Sequence, residues 1–414
     1  LKKKGFNASL SSSDKQVHSL VEKEAARQIE TLPMIASENY VSRAVLEAQG
    51  SVLTNKYAEG PIGRREYSGC GIVDRIENVA KERACRLFGA EYANVEPYSG
   101  SQANQVVYFS ALKPRDRILG MHQENYGHLT HGNPGSFSGR FYKSVPYALD
   151  PKTEKIDYDA VARIARQRKP KIIVAGYSCY PLKVDFAKFR EIADSVGALL
   201  LCDLAHLSGL IAAGLHENPV SYADFATTTT HKMLRGPRGG LLLAKKKYAD
   251  AIELAVCPGI QGGALMHVVA AKAVAFREAS MPQFRSHMKK VVLNSSALGD
   301  ELKKQGFELF AGGTETHMVI FKLKGTPVGF AQAQDLLENA GITVNGMPLP
   351  FDPDGPGAVR VGSPALTTRG MGPKEMRQIA LIISRILQSG GAARELGRAK
   401  RQISELAKDF SSWE

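Results

Sequence analysis

Four short, nearly unbroken apolar runs punctuate the middle of the chain: Ile118-Leu119-Gly120-Met121, Ile172-Ile173-Val174-Ala175, Ala198-Leu199-Leu200-Leu201 and Leu241 to Ala244. Runs of this length suit strands covered on both faces. Helical spacing fills the segments between them from about residue 75 to 280, so an α/β domain on a mostly parallel, doubly wound sheet is expected. The β-branched series Thr227-Thr228-Thr229-Thr230 predicts another extended segment. Near the start, Val17, Leu20, Val21, Ala25 and Ile29 fall at helical spacing behind Ser13 and Gln16, a capping-box pattern, and this helix should end before Leu32-Pro33. A second helical pattern passes through Val45, Leu46 and Ala48. A helix over Met288 to Leu302 leaves the sheet domain. Beyond it come a strand at His317 to Leu323, a helix at Ala331 to Asn339 and a strand at Ile342 to Val344. Met376, Ile379, Ala380, Ile383 and Leu387 mark one further helix; Ala399, Ile403, Leu406 and Phe410 mark the last. The expected organisation is a helical arm (1–50), a large α/β domain (51–284) and a smaller α+β domain (285–414).

With 414 residues, 43% of them hydrophobic, the chain can bury more than one core. No apolar run approaches transmembrane length, so no membrane partner is expected. The five cysteines (Cys70, Cys85, Cys179, Cys202, Cys257) are odd in number and never form a Cys-x-x-Cys pair. That favours reduced thiols in the cytoplasm over disulfides, and no metal site is expected. Leu1-Lys2-Lys3-Lys4 is basic but lacks the apolar segment of a secretory signal, and the missing initial methionine suggests a trimmed chain. Asn7-Ala8-Ser9 matches a glycosylation sequon, a triplet common by chance. The net charge is +13, but the basic residues lie in short separated pieces: Lys2 to Lys4, Arg64-Arg65, Lys245 to Lys247, Lys289-Lys290 and Lys303-Lys304. Without aromatic interleaving, these read as solvated surface rather than a nucleic-acid footprint.

Candidate chemistry centres on the loop between two predicted strands, His231-Lys232-Met233-Leu234-Arg235-Gly236-Pro237-Arg238-Gly239-Gly240. A lysine held there is partly desolvated, which lowers its pKa and leaves a nucleophilic amine suited to a Schiff base with an aldehyde such as pyridoxal phosphate. Asp203 follows an apolar strand, at the end where ligands of open α/β sheets bind. A buried carboxylate there needs a cation, and a pyridinium nitrogen would serve. Ser99-Gly100-Ser101 opens a helix and offers hydroxyls and N–H groups to a phosphate, although alone the tripeptide reads first as an ordinary serine cap. Residues 54–70, rich in Gly, Arg and Tyr without a period, form a loop of the kind that carries function.

Together these stretches resemble the serine hydroxymethyltransferase family, pyridoxal-phosphate enzymes of the aminotransferase-like fold type I, from roughly Pro33 to the last helix. The resemblance implies that Lys232 is the cofactor lysine, with Thr229 and His231 beside it. Ser99, Gly100 and Ser101 would cradle the phosphate, and Asp203 and His206 would form the Asp-x-x-His pair. His128 of Gly127-His128-Leu129-Thr130-His131-Gly132 would stack on the ring, with His131 structural and Ser178 at the phenolic oxygen. In Val359-Arg360-Val361-Gly362-Ser363-Pro364, Arg360 would clamp the substrate carboxylate, and Ser37 would add a second contact. In Tyr57-Ala58-Glu59-Gly60, Tyr57 would reach the partner's phosphate and Glu59 would handle the proton of the substrate hydroxyl. Tyr67 would also act across the dimer, and Gly262 and Gly263 would complete the neighbour's phosphate site. A homodimer with shared active sites follows, with tetramer formation left open. Lys232, Glu59, His128, His206 and Asp203 carry the implied catalysis, which makes and breaks the Cα–Cβ bond of β-hydroxy-α-amino acids.

Departures from the family pattern include Met233 for a threonine and Tyr98 for a histidine. The others cluster where tetrahydrofolate would bind: Glu66-Tyr67 for paired tyrosines, Gln123 for an apolar residue, Tyr126 for glycine and Met347 for a pterin-pairing asparagine. Methionine lacks the amide's paired donor and acceptor, and losing such recognition costs far more than losing a methylene. Tyr126 is expected to fill the groove. A folate-independent aldolase or transaldolase with an aldehyde acceptor is therefore favoured over an ordinary tetrahydrofolate-dependent enzyme.

Overall fold

The computed structural model describes residues 8–411; Lys2 to Lys4 and Asn7 lie outside the described residues. The first long helix, Lys15–Glu30, stops where expected, but its cap is Asp14 rather than Ser13. The Asp14 carboxylate accepts the N–H of Val17 at 2.9 Å, while Ser13 ends a separate short turn, Leu10–Ser13. A carboxylate at that position satisfies an orphan donor and also meets the positive end of the helix dipole. Val17, Leu20 and Val21 form an apolar stripe on this helix, and about half of their surface is open to solvent in a single chain.

Strand β1 (Leu32–Pro33) follows. The large sheet is built from β2 (Tyr92–Asn94), β3 (Arg117–Met121), β4 (Lys143–Tyr147), β5 (Ile172–Gly176), β6 (Leu199–Asp203), β7 (Phe225–Thr229) and β8 (Gly240–Ala244), in the order β2-β8-β7-β6-β5-β3-β4. Only the pairings of β8 are antiparallel. The chain returns from β7 through the Lys232 loop with no crossover helix, so the next strand must run backwards. The apolar runs are continuous because each strand feeds two cores. Leu119, Ile173, Leu200 and Leu243 join one side, and Ile118, Ile172, Leu201 and Leu242 join the other. β4 escapes the apolar pattern because Lys143-Ser144-Val145-Pro146-Tyr147 is an edge strand, where polar residues and proline are tolerated.

A second sheet joins β9 (Met318–Lys322), β11 (Asn345–Met347) and β12 (Ala358–Gly362) in the antiparallel order β11-β12-β9. The short β10 (Ile342–Thr343) pairs in parallel with β1. Helices Phe330–Ala340, Pro373–Gln388 and Ala393–Asp409 help to enclose its core. Helix Pro282–Lys304 starts a turn and a half before the expected Met288, because Pro282 fits the first helical position. Its Phe284, Met288 and Val291 enter the core of the large sheet, whereas Ala297, Leu298 and Leu302 enter the second core. One helix therefore fastens the two. No helix among the described residues is long and apolar enough to cross a membrane.

The segment after β1 lies against the end of β12. Gly362 N–H donates to Met34 O at 2.6 Å, and a Cβ at Gly362 would stand 2.5 Å from Ala36 Cα. This close approach holds the loop with Ser37 near the strand that carries Arg360. Gly362→Ala should destabilise the protein by about 1–3 kcal/mol, the usual cost of overpacking, read as a lower urea midpoint with an unchanged slope.

Candidate active site

Asp203 ends β6 and is buried. Its Oδ2 accepts from His131 Nε2 at 2.9 Å and from Asn104 Nδ2 at 2.9 Å, and its Oδ1 accepts the Ala205 N–H at 3.1 Å. Burial alone would raise this carboxyl's pKa, but the hydrogen bonds from His131 and Asn104 hold it well below the usual carboxylate range. Asn104 is a hub: its amide also donates to Thr130 Oγ1 at 2.8 Å and accepts from Thr227 Oγ1 at 2.5 Å. His128 caps the turn Leu129–His131, with Nδ1 2.7 Å from Thr130 Oγ1. Burial and the neighbouring His131 bring its pKa down to about 4, so the ring is neutral near pH 7.

Lys232 Nζ lies 3.0 Å from His206 Nε2. Burial lowers the amine's pKa to about 8; the Asp203 charge works against that fall and the Arg360 charge adds to it. His206 Nδ1 lies 3.3 Å from His317 Nε2, and the two rings stack at 5.5 Å and 15°. Burial and the Lys232 charge push His206 well below its ordinary value and His317 to about 3, so both rings are neutral. With Lys232 donating to Nε2, His206 carries its proton on Nδ1 and passes a hydrogen bond to His317.

Arg360, on β12, is only 8% exposed. Its Nη1 donates to Ser178 O at 3.1 Å and to Cys179 Sγ at 3.0 Å, while its Nε is buried without a partner. No carboxylate among the described residues pairs with it. A buried guanidinium left in that condition is costly unless an anion joins it.

At the other end of the site, Ser99 caps helix Gly100–Ala111, its Oγ accepting the Gln102 N–H at 3.1 Å. The ordinary serine cap is thus present, and no hydrogen bond among the described residues occupies the Ser101 hydroxyl. Gly100 packs on Thr229, whose Cγ2 would be 2.7 Å from a Cβ. Tyr98 Oη donates to Gly263 O at 2.7 Å, which joins this turn to the glycine loop. Beside that loop lie the Tyr57 hydroxyl and the Glu59 carboxylate, 3.4 and 3.3 Å from where a Gly262 Cβ would stand. Tyr57 meets Tyr67 edge to face at 5.0 Å, and both rings are half exposed.

Asp203, His128, His131, His206, Lys232, Ser178 and Arg360 are therefore gathered by hydrogen bonds and mutual electrostatics. Thr229 lies beside Gly100. Tyr57, Glu59, Tyr67, Gly262 and Gly263 form a second group, with no hydrogen bond to Lys232, His206 or Arg360 in the same chain. His231 lines a cleft of about 330 Å³ with Ser37, Tyr40 and Arg238. Sequence reasoning missed His317, Asn104 and Cys179. A histidine opening an apolar strand and an amide four residues inside the Ser-Gly-Ser helix were the available signals.

A loop lysine between two strands of a mostly parallel seven-stranded sheet, facing a buried aspartate that ends a third, belongs to the fold type I class of pyridoxal-phosphate enzymes. The family model described as serine hydroxymethyltransferase matches residues 10–383, and the chain belongs to that family.

His131→Leu would remove a partner from a buried carboxylate, at a cost of about 3–5 kcal/mol. Because the Asp203 pKa is depressed on folding, its contribution is complete above the ordinary carboxyl value near pH 4 and fades below it. Urea melts should show the full gap between variant and parent at pH 7, narrowing only below about pH 4.

Proposed function

We propose that this protein makes and breaks the Cα–Cβ bond of β-hydroxy-α-amino acids of the serine, threonine and glycine type, passing the glycine fragment to or from an aldehyde without tetrahydrofolate. The observation that carries the amino-acid part is the unpaired, buried guanidinium of Arg360, which suits a substrate carboxylate bound in a fork. The residues present also fit the family's cofactor: an anion at Asp203 for a ring nitrogen, an amine near neutrality at Lys232, and a serine-glycine helix start for a phosphate. When bound, pyridoxal phosphate supplies an aldehyde for an amine and a ring that accepts the electron pair released as the bond breaks.

The chain's own groups have distinct work. With that cofactor bound, Asp203 would keep a proton on its ring nitrogen, while His128 would cover the ring as a neutral imidazole. Ser178 would meet its phenolic oxygen. Neutral His206 accepts a hydrogen bond from Lys232 and holds the amine in place. Arg360, with Ser37, would hold the substrate carboxylate and so orient the bond to be broken. Glu59 from a second copy receives the proton of the β-hydroxyl. Two features support that second copy: the half-exposed Tyr57 and Tyr67 beside Glu59, and the uncovered apolar residues Val17, Leu20, Val21, Leu46 and Val52.

Folate independence is supported by the Tyr126 side chain. It is buried, its hydroxyl donates to Pro348 O at 3.2 Å, and its ring meets Phe310 edge to face at 5.1 Å. The side chain thus occupies space beside the loop of Met347, itself buried and without an amide to offer. The test is exchange of the glycine α-proton in D₂O, followed by NMR, together with condensation of glycine and a bulky aromatic aldehyde. Exchange should change less than twofold on adding tetrahydrofolate, and condensation should run far above background. Tenfold stimulation by folate would return the protein to the ordinary reaction of its family.

Arg360→Lys should raise KM for glycine by about 10–100-fold, since charge-assisted hydrogen bonds contribute about 1.5–3 kcal/mol. The rate at which cofactor-free protein captures pyridoxal phosphate should climb as pH rises towards about 8 and level off above it, because only the neutral Lys232 amine attacks. Lys232→Ala should abolish borohydride trapping.

A further inference from the structure

Lys272 has no part in the chemistry above, yet its side chain is among the most deeply buried, 1% exposed on helix Met266–Ala279. Its Nζ donates to three backbone carbonyls: Val95 O at 2.6 Å, Gly240 O at 2.8 Å and Pro97 O at 3.0 Å. An ammonium has three N–H donors, so its capacity is filled. The nearby acids are engaged elsewhere, Glu77 with Arg65 at 2.5 Å and Glu96 3.9 Å from the same guanidinium. Burial draws the amine to about 7 against the pull of these two carboxylates.

The three carbonyls belong to the two limbs of the site. Val95 and Pro97 lie on the segment running from β2 to Ser99; Gly240 opens β8, on the return limb of the Lys232 loop. The peptide planes on the first limb are held at both ends. Lys272 takes Val95 O while Glu96 N–H reaches Asn94 Oδ1 at 3.0 Å, and it takes Pro97 O while Tyr98 N–H reaches Gln102 Oε1 at 3.0 Å. The limbs also touch directly: Gly240 N–H donates to Pro97 O at 2.9 Å, and a Gly240 Cβ would stand 2.3 Å from Ser99 O. Gly239 leaves room for the clamp, since a Cβ there would meet Lys272 Cε at 2.5 Å. Without the cation, three buried carbonyls would lose a partner and the segment entering the helix would be free to turn.

We propose that Lys272 is a positioning residue that sets the Ser99-Gly100-Ser101 turn for a phosphate, by drawing the carbonyls of Val95, Pro97 and Gly240 onto one buried ammonium. The inference rests on the cofactor reading above. It is tested on the full chain freed of cofactor, with pyridoxine 5′-phosphate and pyridoxine as probes, neither of which has an aldehyde for Lys232. Binding is measured by calorimetry at pH 6.5, on the acid side of the amine's pKa of about 7. Lys272→Met should bind pyridoxine 5′-phosphate at least tenfold more weakly than the parent and pyridoxine within twofold. Lys272→Gln, which keeps two donors, is the milder variant if circular dichroism finds the first unfolded, and should lose affinity in the same selective way. Equal loss for both probes, or no loss for the phosphorylated one, overturns the proposal. A parent protein that does not prefer pyridoxine 5′-phosphate to pyridoxine overturns the cofactor reading itself, and the proposal with it.

Discussion

A single negative charge, taken out of water at the end of β6, organises the site. Asp203 stays ionised because His131, Asn104 and the Ala205 N–H supply the hydrogen bonds that water would otherwise make. Each of these donors is positioned by something else: His131 by the turn that His128 caps, and Asn104 by Thr130 and Thr227. The same charge limits how far burial can depress Lys232. The amine comes to rest near neutrality, because desolvation and the Arg360 charge pull one way and Asp203 the other.

That balance depends on joining two separately packed regions. Lys232 and Asp203 belong to the large sheet, whereas Arg360 and His317 come from the second sheet and the segment leading into it. The stack of His206 on His317 and the bonds from Arg360 to Ser178 and Cys179 cross the boundary. Helix Pro282–Lys304, the β1–β10 pairing and the close contact of Gly362 with Ala36 hold the regions in register. Small changes in that register would move the guanidinium relative to the amine, which makes remote packing residues relevant to the electrostatic balance at Lys232.

The chain belongs to the serine hydroxymethyltransferase family, and Tyr126 and Met347 are both buried in it. A tyrosine buried between Pro348 and Phe310 has a structural role of its own, since its hydroxyl is bonded and its ring is packed. Replacing it would therefore remove a partner from the Pro348 carbonyl and a ring from beside Phe310.

The large-sheet strands with apolar runs, the strand–lysine–turn–strand unit and the aspartate at a strand end could be read from local residue order. Burial on both faces leaves an unbroken apolar run, and a loop that must turn within a few residues leaves its glycines and proline on display. Other features required the folded chain. The reversal of β8, the choice of Asp14 over Ser13 as cap, and the edge strand β4 depend on which groups find partners and which face water. His317 meets His206 across 111 positions of sequence, and Lys272 gathers carbonyls up to 177 positions away. No local pattern encodes such a meeting, because a lone buried histidine or lysine in a helix or strand looks like any other until packing brings its partners to it. The residue order set the elements and the chemically able side chains; tertiary packing decided which of them share a site, since desolvation and hydrogen bonding act only at contact distance.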